Sequence, residues 1–114
     1  MKTVNVTYLE EVCGGSEEVI KEMVDIFLEQ VPEFYNEMQG LLREKKYHDL
    51  GMLAHKAKSS VAIMGMNHLA LKLKELELSA KSGEKVDEYN NYLAEFKTET
   101  DKAIAELKVY LNNL

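Results

Sequence analysis

The chain has 114 residues, of which 46% are hydrophobic and 30% charged, as expected for one globular domain with a core of its own. A net charge of −6 argues against a nucleic-acid-binding protein, and the longest apolar run, residues 61–66, is too short to span a membrane. A single cysteine, Cys13, excludes an internal disulfide, and together with an N-terminus lacking a signal-peptide core it predicts a cytoplasmic protein.

The N-terminal third of the chain predicts a helical cap that precedes a longer bundle. A short helix is expected near residues 8–12, and Gly14-Gly15 separates it from the next helical segment, which Ser16 can cap. Pro32, the only proline, either begins a new helix or kinks a continuous one. The chain is accordingly divided into a cap over residues 8–31 and a first bundle helix over residues 33–46.

Three further amphipathic helices are predicted in the rest of the chain. The first covers residues 47–64, the second covers residues 67–82, and the last covers residues 86–113 with apolar residues spaced alternately by four and three. Short connections between amphipathic helices indicate antiparallel neighbours. The sequence therefore predicts an all-α protein, an up-down four-helix bundle with a short additional N-terminal helix or helices, in one domain over residues 1–114.

His55 lies on the face of its predicted helix that points away from the core. At about 100° per residue, the apolar stripe of that helix falls on the opposite side. Gly51 and Ser59, one turn away on either side, are too small to cover the ring, and Lys58 can reach an anion held there. The pattern favours transfer of a phosphoryl group onto a ring nitrogen. The residues of the stripe are Leu50, Leu53, Ala57, Val61 and Met64.

The residues around this histidine resemble a known family signature. The run Ala54-His55-Lys56-Ala57-Lys58-Ser59-Ser60, followed by Gly65, is similar to the motif of histidine-containing phosphotransfer (HPt) domains, roughly A-H-x-L-K-G-S followed by a glycine. Segments 27–33 and 8–15 are also similar to family segments, so the resemblance covers almost the whole chain. Two positions depart from the motif: Ala57 stands where leucine is usual, and Ser59 where glycine is usual.

The resemblance implies a phosphorelay carrier. His55 would accept a phosphoryl group on one of its ring nitrogens from the aspartate of a receiver domain and pass it to another receiver. The sequence leaves the choice of nitrogen open, and the outward-facing Nε2 is favoured over Nδ1. Lys58 and Ser59 would support the phosphoryl group, and Glu77 falls where the family often places a polar residue near the histidine. Such a protein is not an enzyme with an ATP site of its own, needs no cofactor, and relies on Mg²⁺ in the partner receiver.

The partners implied by the resemblance are receiver domains of response regulators or hybrid histidine kinases, which would dock on a monomer around His55. The apolar members of the expected docking surface could instead pack on the N-terminal helices, and the sequence leaves this open. The residues predicted to form the docking surface are Gly51, Met52, Lys56, Ala62, Ile63 and Met66.

Two other classes of function compete with the carrier. A di-iron bundle uses Glu-x-x-His pairs, but the residues three positions before His48, His55 and His68 are not glutamates, so no metal site is predicted. A non-catalytic helical adaptor or dimerisation module remains the alternative, since the seam of the last helix could pair with another chain. The adaptor would keep its partners when His55 is replaced by alanine, whereas the carrier would lose phosphoryl transfer.

Overall fold

The computed structural model describes residues 3–114, which are almost entirely helical and contain no β-strand. A 3₁₀ turn, Val86–Glu88, leads directly into the last helix. The all-α class and the short additional N-terminal helix predicted from the sequence are confirmed. In chain order, the helices are α1 (Val6–Val12), α2 (Glu17–Arg43), α3 (Tyr47–Ile63), α4 (Asn67–Ser82) and α5 (Tyr89–Asn112).

Helix α2 is continuous through Pro32, so the predicted division between a cap ending at residue 31 and a helix beginning at residue 33 is wrong. Proline has no amide hydrogen to donate to the carbonyl of Leu28, which costs one intrahelical hydrogen bond. The apolar face nevertheless continues in register across the proline, and its burial against the bundle outweighs that local loss. The buried residues of this face are Ile20, Val24, Phe27, Val31, Phe34 and Met38.

Helices α2 to α5 pack as antiparallel neighbours. Residues 44–46 connect α2 to α3 and residues 64–66 connect α3 to α4, so each helix returns along the previous one. Two hydrogen bonds between α4 and α5 show that these helices also run in opposite directions. Tyr92 donates to Glu75 at 3.0 Å, and Tyr89, earlier on α5, donates to the carbonyl of Ser79, later on α4, at 2.8 Å. Among residues 3–114, no helix is both long and apolar enough to cross a membrane.

The segment before α1 is hydrogen-bonded to the end of the bundle that contains the α3–α4 turn. The amide of Asn5 donates to the carbonyl of Met64 at 3.0 Å, in the turn between α3 and α4. Gly65 in that turn has a φ of +71°, and a Cβ there would collide with Asn5. The amides of Thr3 and Val4 donate to the Glu106 carboxylate on α5. The N-terminal segment thus joins the α3–α4 turn to α5.

Candidate functional site

Helices α3 and α4 approach each other closely one turn before His55. A Cβ added to Gly51 would lie 2.9 Å from the carbonyl oxygen of Glu77 and 2.8 Å from Cγ of Lys81. Non-bonded carbon atoms prefer separations of about 3.5–4.0 Å, so only glycine fits without moving a helix. Gly51 is buried, and its predicted place on the docking surface is wrong because its Cα faces α4 rather than solvent.

The His55 ring is exposed, and its Nδ1 contacts the carboxylate of Glu77 on α4. Nδ1 lies 3.0 Å from Oε2 and 3.1 Å from Oε1 of Glu77, while 59% of the histidine side chain is exposed. A carboxylate only accepts hydrogen bonds, so Nδ1 carries the proton and donates it. No residue in the described part of the chain bonds to Nε2, which therefore remains accessible to a partner.

Two lysines share the carboxylate with the histidine. Lys81 donates to Oε2 of Glu77 at 2.9 Å, whereas Nζ of Lys58 lies 3.7 Å from Oε1. Burial alone would raise the pKa of Glu77, but the hydrogen bonds from Lys81 and His55, with their charges, hold the pKa below the ordinary value of 4.5. Glu77 is consequently an anion at neutral pH, although only 10% of its side chain is exposed.

The rest of the predicted docking surface is only partly exposed. Met52 is 54% exposed and Lys56 is exposed, while Ala62 and Ile63 are half-buried. Met66 is 3% exposed and belongs to the core, so its predicted place on this surface is wrong. The helical projection that placed Met66 beside His55 does not apply, because α3 ends at Ile63 and the left-handed turn redirects the chain.

The serines that follow the histidine face different ways. Ser59 is exposed one turn after His55, within reach of a group bound to the ring. The hydroxyl of Ser60 donates to the side-chain oxygen of Gln30 at 3.0 Å and connects α3 to α2. The contact of Gln30 with Ser60 cannot be predicted from local sequence, because it depends on how α2 packs against α3.

Lys81 is the residue at this site that sequence reasoning missed. Its position four residues after Glu77 is the usual spacing for a helical ion pair, and that spacing was the available signal. Among residues 3–114, no group of three or more histidine, cysteine, aspartate or glutamate side chains is arranged to hold a metal ion. The chemical capacity of the site is therefore that of an oriented imidazole nucleophile beside cationic side chains.

Comparison with known proteins identifies the family of this chain. The family model described as Hpt domain matches residues 22–108, which include the histidine and all its partners, and the chain belongs to that family. The chain is also similar to the phosphorelay intermediate protein YPD1 of Candida albicans, with 28% identity over 93 residues, 82% of this chain and 49% of that protein. The chain thus spans about half the length of this curated relative. No solved structure matches it.

Proposed function

We propose that this protein is a histidine phosphocarrier of a phosphorelay. The lone pair of Nε2 on His55 attacks the phosphorus of an aspartyl phosphate on a receiver domain, forming a P–N bond as the P–O bond to the aspartate breaks. The aspartate leaves as a carboxylate, and the carboxylate of a second receiver later reverses the step. The observation that carries the proposal is the exposed Nε2 of a ring whose Nδ1 is held by Glu77.

The other residues around the ring have supporting roles in this proposal. Lys58 is only loosely paired with Glu77, at 3.7 Å, and rotates to meet the phosphoryl oxygens. The exposed hydroxyl of Ser59 donates a further hydrogen bond. Mg²⁺ and the acidic pocket belong to the receiver, and the carrier acts without a nucleotide site of its own.

The proposed docking surface is smaller than the sequence predicts. It consists of Met52, Lys56, Ala62 and Ile63 around His55, an apolar group with a lysine at its edge. A surface of this size suits a transient complex, in which a receiver binds, exchanges the phosphoryl group and leaves. The partners are receiver domains of response regulators or hybrid histidine kinases, and the carrier acts as a cytoplasmic monomer.

The test is transfer from a receiver phosphorylated on aspartate to the wild-type protein, His55→Gln and His68→Gln. His68 is an exposed histidine of the same bundle and serves as the matched control. We expect acid-labile label on the wild type and on His68→Gln, and none on His55→Gln. Label retained by His55→Gln would contradict the site. A wild type that binds phosphorylated receivers without taking the label would favour the adaptor.

A further inference from the structure

Lys81 takes no part in the transfer steps above, yet it is the cation nearest to the carboxylate that orients His55. Its Nζ lies 2.9 Å from Oε2 of Glu77, whereas Nζ of Lys58 lies 3.7 Å from Oε1. Both lysines approach the same carboxylate, one from α4 and the other from α3. They therefore pair with a single anion that also holds the histidine.

The stem of Lys81 rests where α3 has no side chain. A Cβ on Gly51 would lie 2.8 Å from Cγ of Lys81 and 3.1 Å from its amide nitrogen. The missing side chain on α3 thus makes room for the lysine stem as it extends toward Glu77. Because the stem packs against the α3 backbone, the position of the ammonium group is restricted.

Glu77 needs cationic partners because it is nearly buried. The charged and titratable groups that face its carboxylate are His55 and Lys58 from α3 and Lys81 from α4. A buried carboxylate that loses its closest cation recruits the next one. Without Lys81, the carboxylate would draw in Lys58, the lysine that the phosphoryl group requires.

We propose that Lys81 is a positioning residue for phosphoryl transfer, an inference that rests on the proposed function. It anchors Glu77, so that the carboxylate keeps the Nδ1–H of His55 while Lys58 stays available to the phosphoryl group. Lys81 itself does not contact the reacting atoms. It acts indirectly, because it fixes the orientation of the His55 ring and leaves Lys58 available to the phosphoryl group.

The first test uses the unphosphorylated protein at alkaline pH, where the imidazole is neutral, and reads the tautomer of His55 from its ring ¹⁵N chemical shifts. Lys81→Met keeps a long unbranched side chain and removes the charge. We expect the wild type to hold the proton on Nδ1, Lys81→Met to gain the Nε2–H form, and Lys81→Arg to restore the wild-type spectrum. Lys72→Met is the matched control, since Lys72 on the same helix pairs with Glu75 at 4.0 Å.

The second test measures the rate of transfer from a phosphorylated receiver to the same variants. We expect Lys81→Met to accept the phosphoryl group about tenfold more slowly than the wild type, because the reacting nitrogen is displaced. The transfer rates of Lys81→Arg and Lys72→Met should match that of the wild type. An unchanged rate for Lys81→Met would overturn the proposal, even if the tautomer changes. An equal loss in Lys72→Met would do the same. If the wild type takes no label, the carrier function fails, whereas the ring spectrum still tests whether Lys81 anchors Glu77.

Discussion

Two histidine–glutamate pairs bridge neighbouring helices of this bundle, and their settings differ. His55 meets Glu77 across α3 and α4 through Nδ1 at 3.0 Å, and only 10% of the glutamate side chain is exposed. His68 meets Glu95 across α4 and α5 through Nε2 at 3.2 Å, with 72% and 32% of the two side chains exposed. The first carboxylate also binds two lysines, whereas the His68–Glu95 pair is a simple surface contact.

The difference explains why His55, and not His68, is the proposed phosphoacceptor, although both histidines meet a glutamate. A glutamate on Nδ1 leaves the outer nitrogen of His55 free, while the same residue type on Nε2 of His68 occupies the nitrogen that a partner would reach. Glu77 is itself held in place by its burial and by its ion pairs with two lysines. This restricts the His55 ring to one orientation. The site is defined by which nitrogen the carboxylate takes and by how firmly the carboxylate is held.

The largest expected effect is on the rate of phosphoryl transfer, which should respond to Glu77→Ala far more than to Glu95→Ala. Glu77→Ala removes the acceptor for Nδ1, so the ring rotates and the nucleophilic nitrogen is misplaced, which slows transfer on the order of tenfold to a hundredfold. Glu95→Ala, which removes the partner of His68, should change the rate less than about twofold, as expected for an exposed pair. Rates from a phosphorylated receiver measure both. Equal effects of the two variants would refute the distinction between the pairs.

Gly51→Ala should weaken the α3–α4 contact behind His55. The added methyl group meets the Glu77 backbone at 2.9 Å, so the helices must separate, at a cost of about 1–3 kcal/mol in the free energy of unfolding. Gly40→Ala is the matched control, because nothing lies within 4 Å of a Cβ there, and alanine in a helix should stabilise by about 0.5–1 kcal/mol. Urea unfolding measures both, and a Gly51→Ala protein as stable as the wild type would contradict the close approach.

The ionisation of Glu77 should make its contribution to stability depend on pH. Its pKa is lower in the folded protein than the ordinary 4.5, so folding favours the anion. The stabilisation is complete above the unfolded pKa and is lost as the pH falls through the lower folded pKa. The gap in unfolding free energy between the wild type and Glu77→Gln should therefore narrow as the pH falls below 4.5. A gap that is constant or widens there would contradict the assignment.

The smallest expected effect is that of breaking the exposed pair. His68→Gln should change the free energy of unfolding by less than about 0.5 kcal/mol, because exposed ion pairs contribute little. Thermal unfolding with and without added salt measures the change. A loss of more than about 2 kcal/mol would mean that the pair supports the α4–α5 contact more than its exposure indicates.

Features that depend on local periodicity could be predicted from the sequence, whereas features that depend on how the helices pack could not. The helices after residue 46 and the exposed His55 follow from apolar spacing and agree with the structure, except that the last helix begins at Tyr89, after the 3₁₀ turn, rather than at residue 86. A continuous α2 through Pro32 is one of two alternatives that the sequence leaves open, and the choice between them depends on tertiary burial. The sequence places Gly51 on the surface because a residue without a side chain suits a docking partner as well as it suits a neighbouring helix. Lys81 has a helical ion-pair spacing, but its importance depends on a carboxylate buried by α3.

The most direct test of the central claim is to locate the phosphorus on the phosphorylated protein. NMR of ¹⁵N-labelled protein, phosphorylated by a receiver, resolves which ring nitrogen couples to ³¹P. We expect coupling to Nε2 of His55, with Nδ1 still protonated and facing Glu77. Coupling to Nδ1, or phosphorus on His48 or His68, would contradict the account.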